Sequence, residues 1–70
     1  MRVTINGEER DSEATDLAEL WREETADLGV ADPRGFAISL NGVVVRRANW
    51  TTTALRDGDA IEIVRAVSGG

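Results

Sequence analysis

The last strand-like stretch, Ala60-Ile61-Glu62-Ile63-Val64-Arg65-Ala66 (residues 60–66), decides the fold of this 70-residue chain. Apolar and polar side chains alternate along it, which is typical of a β-strand with one buried face. This period places Ile61 and Ile63 inward and Glu62 outward. Val64 then lies on the outward face with Glu62, as an exposed apolar residue. The remaining question is which earlier strands this last strand pairs with.

Two Asn-Gly pairs in the earlier part of the chain each join two strand-like runs. Asn-Gly is the strongest short-range hairpin signal, because both residues tolerate the positive φ angles of a type I′ turn. The first hairpin is predicted to run from Arg2–Ile5 to Glu8–Asp11, whose charged side chains suit a solvent-facing edge. The second joins Phe36–Leu40 to Val43–Val45, a run of valines whose faces cannot be assigned from the period.

One helix is predicted between the two hairpins. Thr15 or Asp16 is the N-cap, and Asp16 with Glu19 three residues later resembles a capping box. We expect the helix to loosen at Glu24, because this acid stands where a further core residue belongs. Gly29 is a natural residue to follow the C-terminus of the helix. The apolar stripe predicted to face the core consists of Leu17, Leu20, Trp21 and Leu28.

The order of elements is therefore a hairpin, a helix, a second hairpin, a short irregular crossing and a last strand. A single helix must cover one face of a sheet to bury its apolar stripe. The first hairpin and the last strand join most simply as parallel neighbours in the sheet centre, with Trp50 and Leu55 filling a gap beside the sheet. The sequence thus predicts an α+β, ubiquitin-like β-grasp domain over 1–65, with a mixed sheet wrapped on one main helix. A flexible tail over 66–70 follows it.

The composition excludes several classes of function. The net charge of −5 argues against a nucleic-acid partner and suggests a partner with a basic docking face. Cysteine and histidine are absent, which removes thiolate zinc sites, cysteine nucleophiles and the commonest general base. The acids show no paired-carboxylate or metal-binding spacing. No signal-peptide pattern or membrane-spanning run is present, so we expect a cytoplasmic protein without a membrane partner.

The tail, Ala66-Val67-Ser68-Gly69-Gly70, is the candidate functional segment. Glycine loses the most conformational entropy on ordering, so a Gly-Gly end resists docking onto the body. Five extended residues reach at most ~17 Å, which is enough to thread a narrow channel in another protein. Because neither glycine has a β-carbon, an enzyme can close around the terminal carboxylate. The alternative is that Gly69 and Gly70 are a frayed end without a function.

Motifs along the whole chain resemble those of the sulfur-carrier proteins of thiamine biosynthesis, the ThiS family. Single Asn-Gly or Asp-Gly-Asp turns are common, but their order and spacing before Gly-Gly are specific. The motifs are Val-Thr-Ile-Asn-Gly-Glu (3–8), Thr-x-Leu-Ala-Glu-Leu (15–20), Asp-Pro-Arg-Gly (32–35), Leu-Asn-Gly (40–42), Val-Arg-Arg (45–47) with Trp50, Leu-x-Asp-Gly-Asp (55–59) and Ile-Glu-Ile-Val-Arg-Ala-Val (61–67). The family commonly has Pro where Arg46 stands, and the segment between the helix and the next strand is longer here. These departures leave open which biosynthetic pathway receives the sulfur from this carrier.

The resemblance implies a protein co-substrate and not an enzyme. It implies that a ubiquitin-activating-type enzyme adenylates the Gly70 carboxyl with ATP-Mg, which that partner holds, so that this chain binds no cofactor or metal. A cysteine desulfurase or rhodanese-like protein then supplies sulfur for a thiocarboxylate, which passes to a thiazole synthase or another acceptor. Gly69 would keep the tail thin, and we expect Val64, Val67 and Ser68 to contact the partner.

Other functions remain open on the sequence. A carrier on the same fold could serve molybdopterin, cysteine or secondary-metabolite synthesis. A ubiquitin-like modifier would be attached to other proteins through Gly70. The absence of lysine excludes lysine-linked chains of this protein but not its single attachment elsewhere. A non-covalent interaction module, in which Gly-Gly is incidental, is the third alternative.

Overall fold

The computed structural model describes residues 1–65, and these form a mixed five-stranded sheet packed on one α-helix. The elements in chain order are β1 (Arg2–Ile5), β2 (Glu8–Asp11), α1 (Leu17–Thr25), a 3₁₀ turn (Ala26–Leu28), β3 (Phe36–Leu40), β4 (Val43–Val45), a 3₁₀ segment (Arg47–Thr52) and β5 (Ala60–Arg65). The predicted strand end at residue 66 and the predicted tail lie outside the described residues.

The last strand lies in the centre of the sheet, as the sequence predicted. The strand order is β2-β1-β5-β3-β4. β1 and β5 run parallel, with Thr4 opposite Ala60 and Ile5 opposite Ile61. β5 is antiparallel to β3 along its other side, and the two hairpins supply the edge strands. The β-grasp arrangement is therefore confirmed.

Both hairpin turns have the geometry that their Asn-Gly pairs predicted. The φ angles are 50° at Asn6 and 85° at Gly7, and 51° at Asn41 and 85° at Gly42. Positive φ at both central residues is the mark of a type I′ turn, whose twist matches that of the flanking strands. The turns thus bring β1 against β2 and β3 against β4 without splaying them.

The N-terminus of α1 is fixed by a variant of the predicted capping box. Asp16 is the N-cap, and its carboxylate accepts a hydrogen bond from the Glu19 backbone N–H at 2.8 Å. The Glu19 carboxylate in turn accepts from the backbone N–H of Thr15 at 2.8 Å, one residue before the expected position. This backbone hydrogen bond, with a second from the Thr15 hydroxyl, holds the pKa of Glu19 below its ordinary value.

The C-terminal part of the helix corrects one prediction. The α-helix ends at Thr25, one residue after Glu24, and continues as the 3₁₀ turn Ala26–Leu28 before Gly29, whose φ is 67°. A 3₁₀ turn rotates side chains further per residue than an α-helix does. Leu28 consequently leaves the apolar stripe and is 58% exposed, so its predicted place in the core is wrong.

The buried side chains lie between α1 and the inner face of the sheet. Trp21 packs edge-on against Phe36, with ring centroids 5.4 Å apart, and tilted against Trp50 at 6.4 Å. The indole N–H of Trp50 donates to the Val45 carbonyl at 2.9 Å, which ties the crossing to β4. Trp50 and Leu55 are buried, as predicted. The full core is Val3, Ile5, Ala14, Leu17, Ala18, Leu20, Trp21, Ile38, Trp50, Leu55 and Ile61.

Candidate functional site

The candidate site is the C-terminal end of β5, the part of the described chain that directly precedes residues 66–70. β1 ends at Ile5, opposite Ile61, so residues 62–65 of β5 continue past the end of β1. On the other side β3 accompanies β5 to its end, with Phe36 opposite Arg65. The strand end is therefore held by a neighbouring strand on one side only.

Asn6 makes up for the missing strand on the β1 side. Its backbone N–H donates to the Ile61 carbonyl at 2.9 Å, which carries the parallel pairing one step beyond β1. Its side-chain carbonyl accepts from the Ile63 N–H at 2.9 Å, and its side-chain N–H donates to the Ile63 carbonyl at 3.3 Å. The same residue thus forms the first hairpin turn and holds β5 close to its end.

The last described residue also packs onto the core. The guanidinium carbon of Arg65 lies 5.4 Å from the centroid of the Phe36 ring. A cation over an aromatic face is stabilised by the ring quadrupole, by about 0.5–1 kcal/mol at an exposed site. Phe36 is itself fixed by its edge-on contact with Trp21. The Arg65 side chain therefore links the end of β5 to Phe36 on the inner face of the sheet.

Three apolar residues lie on the outer face of the sheet near this strand end. Val64 is 56% exposed and lies opposite Ala37, which is also exposed. Val44, on the edge strand β4, is 73% exposed and lies on the same outer face of the sheet, opposite Ser39 of β3. We call Ala37, Val44 and Val64 the outer strip. The sequence predicted that Val64 is exposed and outward, and the structure confirms this placement.

A shallow groove of about 780 Å³ follows β5 next to the outer strip. It begins at Ala60, continues to Arg65 and reaches the first hairpin turn at Asn6 and Gly7. The groove lies on the side of β5 where β1 stops and β5 continues past it. A partner that contacts this groove would lie directly beside the strand that leads to the tail.

A largely apolar cavity lies elsewhere, beside α1. It has a volume of about 440 Å³, and its walls include Trp21, Val30, Pro33 and Trp50, with Arg22 as a polar wall residue. The one hydroxyl among these wall residues, that of Thr25, donates to the Trp21 carbonyl, and no cluster of metal ligands is found within residues 1–65. This cavity therefore does not define the candidate site.

The two remaining pKa shifts arise in the loop before β3. The side chain of Arg34 donates to Asp32 at 2.6 Å, which lowers the pKa of the Asp32 carboxyl and raises that of the guanidinium. Because this pair is exposed, it is screened by solvent and orients the loop more than it stabilises the fold.

Most of the predicted site residues fall beyond the described part of the chain. Val67, Ser68, Gly69 and Gly70 lie outside residues 1–65. The structure therefore places Val64 but does not bring the predicted residues together. Asn6 is the contact that the sequence reasoning missed, since an Asn-Gly pair indicates a turn and carries no signal about a strand distant in sequence. Within residues 1–65, no helix has the length and apolar character needed to cross a membrane.

A comparison with known proteins shows the family of this chain. The model of the ThiS family matches residues 3–70, which is nearly the whole chain. The chain belongs to the ThiS family. The resemblance that its motifs showed is confirmed, and with it the assignment as a ThiS-family sulfur carrier.

Two solved structures of a relative agree with this assignment. The crystal structure of the thiamine biosynthesis protein ThiS from Geobacter metallireducens is 30% identical, matches over the whole of both chains and has a TM-score of 0.74. An NMR solution structure of a thiamine biosynthesis protein from the same organism is 30% identical and has a TM-score of 0.71, covering this whole chain and 88% of that chain.

A curated relative is much longer. A thiazole synthase from Paramagnetospirillum magneticum is 39% identical over 70 residues, which is all of this chain but 20% of that protein. The ThiS-family chain therefore spans about a fifth of the length of the curated relative that it matches.

Proposed function

We propose that this ThiS-family chain is a protein co-substrate whose Gly70 carboxyl is adenylated and then converted to a thiocarboxylate that donates sulfur to thiazole formation. The family match over residues 3–70 is the observation that carries the proposal, because it includes the Gly-Gly end. The chain supplies no catalytic group in this scheme. Its tail is the substrate, and partner enzymes perform each step.

The proposed chemistry has four steps. The Gly70 carboxylate attacks the α-phosphate of ATP, held with Mg²⁺ by the adenylating partner, and pyrophosphate leaves. The terminal sulfur of a protein persulfide attacks the acyl-adenylate and displaces AMP, which gives an acyl disulfide. A second thiolate breaks the S–S bond by forming a disulfide with the donor sulfur, and the thiocarboxylate remains. The thiocarboxylate sulfur then attacks an electrophilic carbon of the acceptor substrate, and water later restores the carboxylate.

The folded body would contribute orientation. A rigid domain docked on the adenylating partner presents its tail at a high effective concentration. The central position of β5, held by β3 and by Asn6, gives the tail a fixed point of departure. We propose that Val64, on the exposed outer strip, contacts the partner together with Val67 and Ser68. Gly69 then passes through the narrow entrance to the active site.

The acceptor is proposed from the curated relative. A protein named thiazole synthase contains a segment that matches the whole of this chain, which supports a thiazole synthase as the enzyme that receives the sulfur. The relative in Geobacter metallireducens, called a thiamine biosynthesis protein, supports the same pathway. Cysteine desulfurases and rhodanese-like proteins are the two classes of sulfur donor that fit the persulfide step.

Intact-mass spectrometry tests the proposal directly. The protein is incubated with an adenylating enzyme from the same genome, ATP-Mg, a cysteine desulfurase, cysteine and a thiol reductant. We expect a mass gain equal to the exchange of one oxygen for sulfur, and none when ATP is left out. If the mass stays unchanged both with the cysteine desulfurase and with a rhodanese-like protein as the sulfur donor, the carrier role is contradicted. Attachment of the chain to other proteins would also contradict it.

The variant Gly69→Ala tests the steric requirement at the entrance. A methyl group at this position should clash with a channel built around two glycines, so we expect adenylation to fall at least about tenfold, which corresponds to ~1.4 kcal/mol. The thermal unfolding midpoint, measured on the same sample, should match that of the wild type. If both proteins release pyrophosphate at the same rate, the thinness of the tail is not what the partner recognises.

A further inference from the structure

The side-chain amide of Asn6 takes the place of the next backbone step of β1. A type I′ turn directs the chain away from β5 after Asn6, whose φ is 50°. The Ile63 N–H and carbonyl would then face no strand. The amide of Asn6 satisfies both, by accepting from the N–H at 2.9 Å and donating to the carbonyl at 3.3 Å. This pair of hydrogen bonds lies two residues before Arg65, at the end of the described strand.

Asn41, in the second Asn-Gly turn, also makes two side-chain hydrogen bonds, at the opposite end of β5. Its side-chain carbonyl accepts from the Ala60 N–H at 2.9 Å, and its side-chain N–H donates to the Asp59 carboxylate at 3.0 Å. Its φ of 51° is nearly that of Asn6. The two asparagines thus hold the two ends of one strand, and only Asn6 lies at the end that leads to the tail.

We propose that Asn6 is a positioning residue for the modification of the tail. By holding Ile63 it fixes residues 62–65 on the side where β1 is absent, and so it fixes the point at which the tail begins. This inference rests on the proposed function, since it assigns Asn6 a role in presenting Gly70 to the adenylating partner.

The physical reason is the entropy of ordering. Without the amide of Asn6, the end of β5 is paired to β3 alone and opens more often, as strand ends with one neighbour do. The partner must then order these residues when it binds the carrier, and this cost appears in binding. Because the cost is the same in the bound ground state and in the transition state, it raises KM and leaves kcat unchanged.

The variants Asn6→Gly and Asn41→Gly separate this role from general stability. Glycine accepts a positive φ as readily as asparagine does, so both type I′ turns are kept. Each variant removes one asparagine side chain with two hydrogen bonds to the β5 region. Any loss of global stability should therefore be similar, and thermal unfolding of both variants checks that it is.

Amide hydrogen exchange, followed by NMR, reports on the strand end itself. In Asn6→Gly we expect exchange to rise about tenfold at Ile63, whose N–H loses its acceptor, and to rise also at Val64, whose N–H faces β3. In Asn41→Gly the rise should be confined to the start of the strand around Ala60. If Val64 exchanges at the wild-type rate in Asn6→Gly, Asn6 does not order the strand end and the inference is wrong.

ATP–pyrophosphate exchange with the adenylating enzyme measures the consequence. At a temperature at which all three proteins are folded, Asn6→Gly should show a several-fold higher KM for the carrier with an unchanged kcat. Asn41→Gly should have the wild-type KM. Equal KM values for the two variants would overturn the role of Asn6 in presenting the tail. If the wild-type protein is not adenylated at all, the proposed function and this role of Asn6 both fail, whereas the hydrogen-exchange arm still decides whether Asn6 orders the strand end.

Discussion

The substitution Leu20→Ala measures how much the helix contributes to the core. Leu20 is fully buried in α1, facing the inner side of the sheet. Removing a buried leucine side chain costs about 2–5 kcal/mol, because transfer free energy is lost and a cavity remains. A domain of this size has roughly 4–10 kcal/mol of stability in total. We therefore expect the unfolding midpoint to fall by roughly 10–30 °C.

The matched control is Leu28→Ala, which makes the same chemical change eight residues further along the chain. Leu28 is 58% exposed after the 3₁₀ turn, so its truncation should cost no more than ~0.5 kcal/mol. Thermal unfolding by far-UV circular dichroism, supported by urea titration, measures both variants. If Leu28→Ala destabilises the protein as much as Leu20→Ala, the α-helix continues beyond Thr25 and the account of this region is refuted.

Two further predictions concern the partner surface and the helix cap. Val64→Asp should raise the KM of adenylation several-fold and leave the unfolding midpoint unchanged. The control Val43→Asp, at a valine that is 66% exposed but off the outer strip, should change neither quantity. Equal KM values for the two variants would show that Val64 does not contact the partner. Glu19→Gln should be less stable than the wild type near pH 7. Because the pKa of Glu19 is lowered in the folded protein, its charge stabilises the fold at pH values above its ordinary pKa of 4.5. This stabilisation is lost as the pH falls through the folded pKa. Urea titrations at pH 7 and pH 3 should therefore show a difference that shrinks in acid, and a constant difference would contradict the capping interaction.

The sequence predicted the elements whose cause is local. Asn-Gly pairs determine their own turn geometry, and alternation determines which strand residues face the helix, so the bounds of β1, β2, β3 and β4 were predicted correctly. The parallel pairing of β1 with β5 followed from the number of elements and from the need to cover a single helix. These inferences depend on the type of each residue and its immediate neighbours.

The predictions that failed or stayed open depend on features that the apolar period alone does not determine. Leu28 was predicted in the core from an α-helical period, but the helix changes to 3₁₀ geometry after Thr25, whose hydroxyl donates to the Trp21 carbonyl. The valines of β4 could not be phased, because consecutive apolar residues carry no period. Their faces follow from the register with β3, in which Val45 lies opposite the buried Ile38 and Val44 lies opposite Ser39.

The second role of the asparagine side chains is the clearest example of a feature that could not be predicted from the sequence. An Asn-Gly pair is fully accounted for by its turn, so nothing in the sequence calls for a second role. That role exists because β5, which comes 54 to 59 residues after Asn6 in the chain, runs beside both turns. At the first turn β1 ends while β5 continues, and the Asn6 amide bonds to the Ile63 backbone that β1 leaves unpaired. At the second turn, where β5 begins, the Asn41 side-chain carbonyl accepts from the Ala60 N–H. A residue chosen for its φ angle thereby also determines how the strand that carries the tail is held.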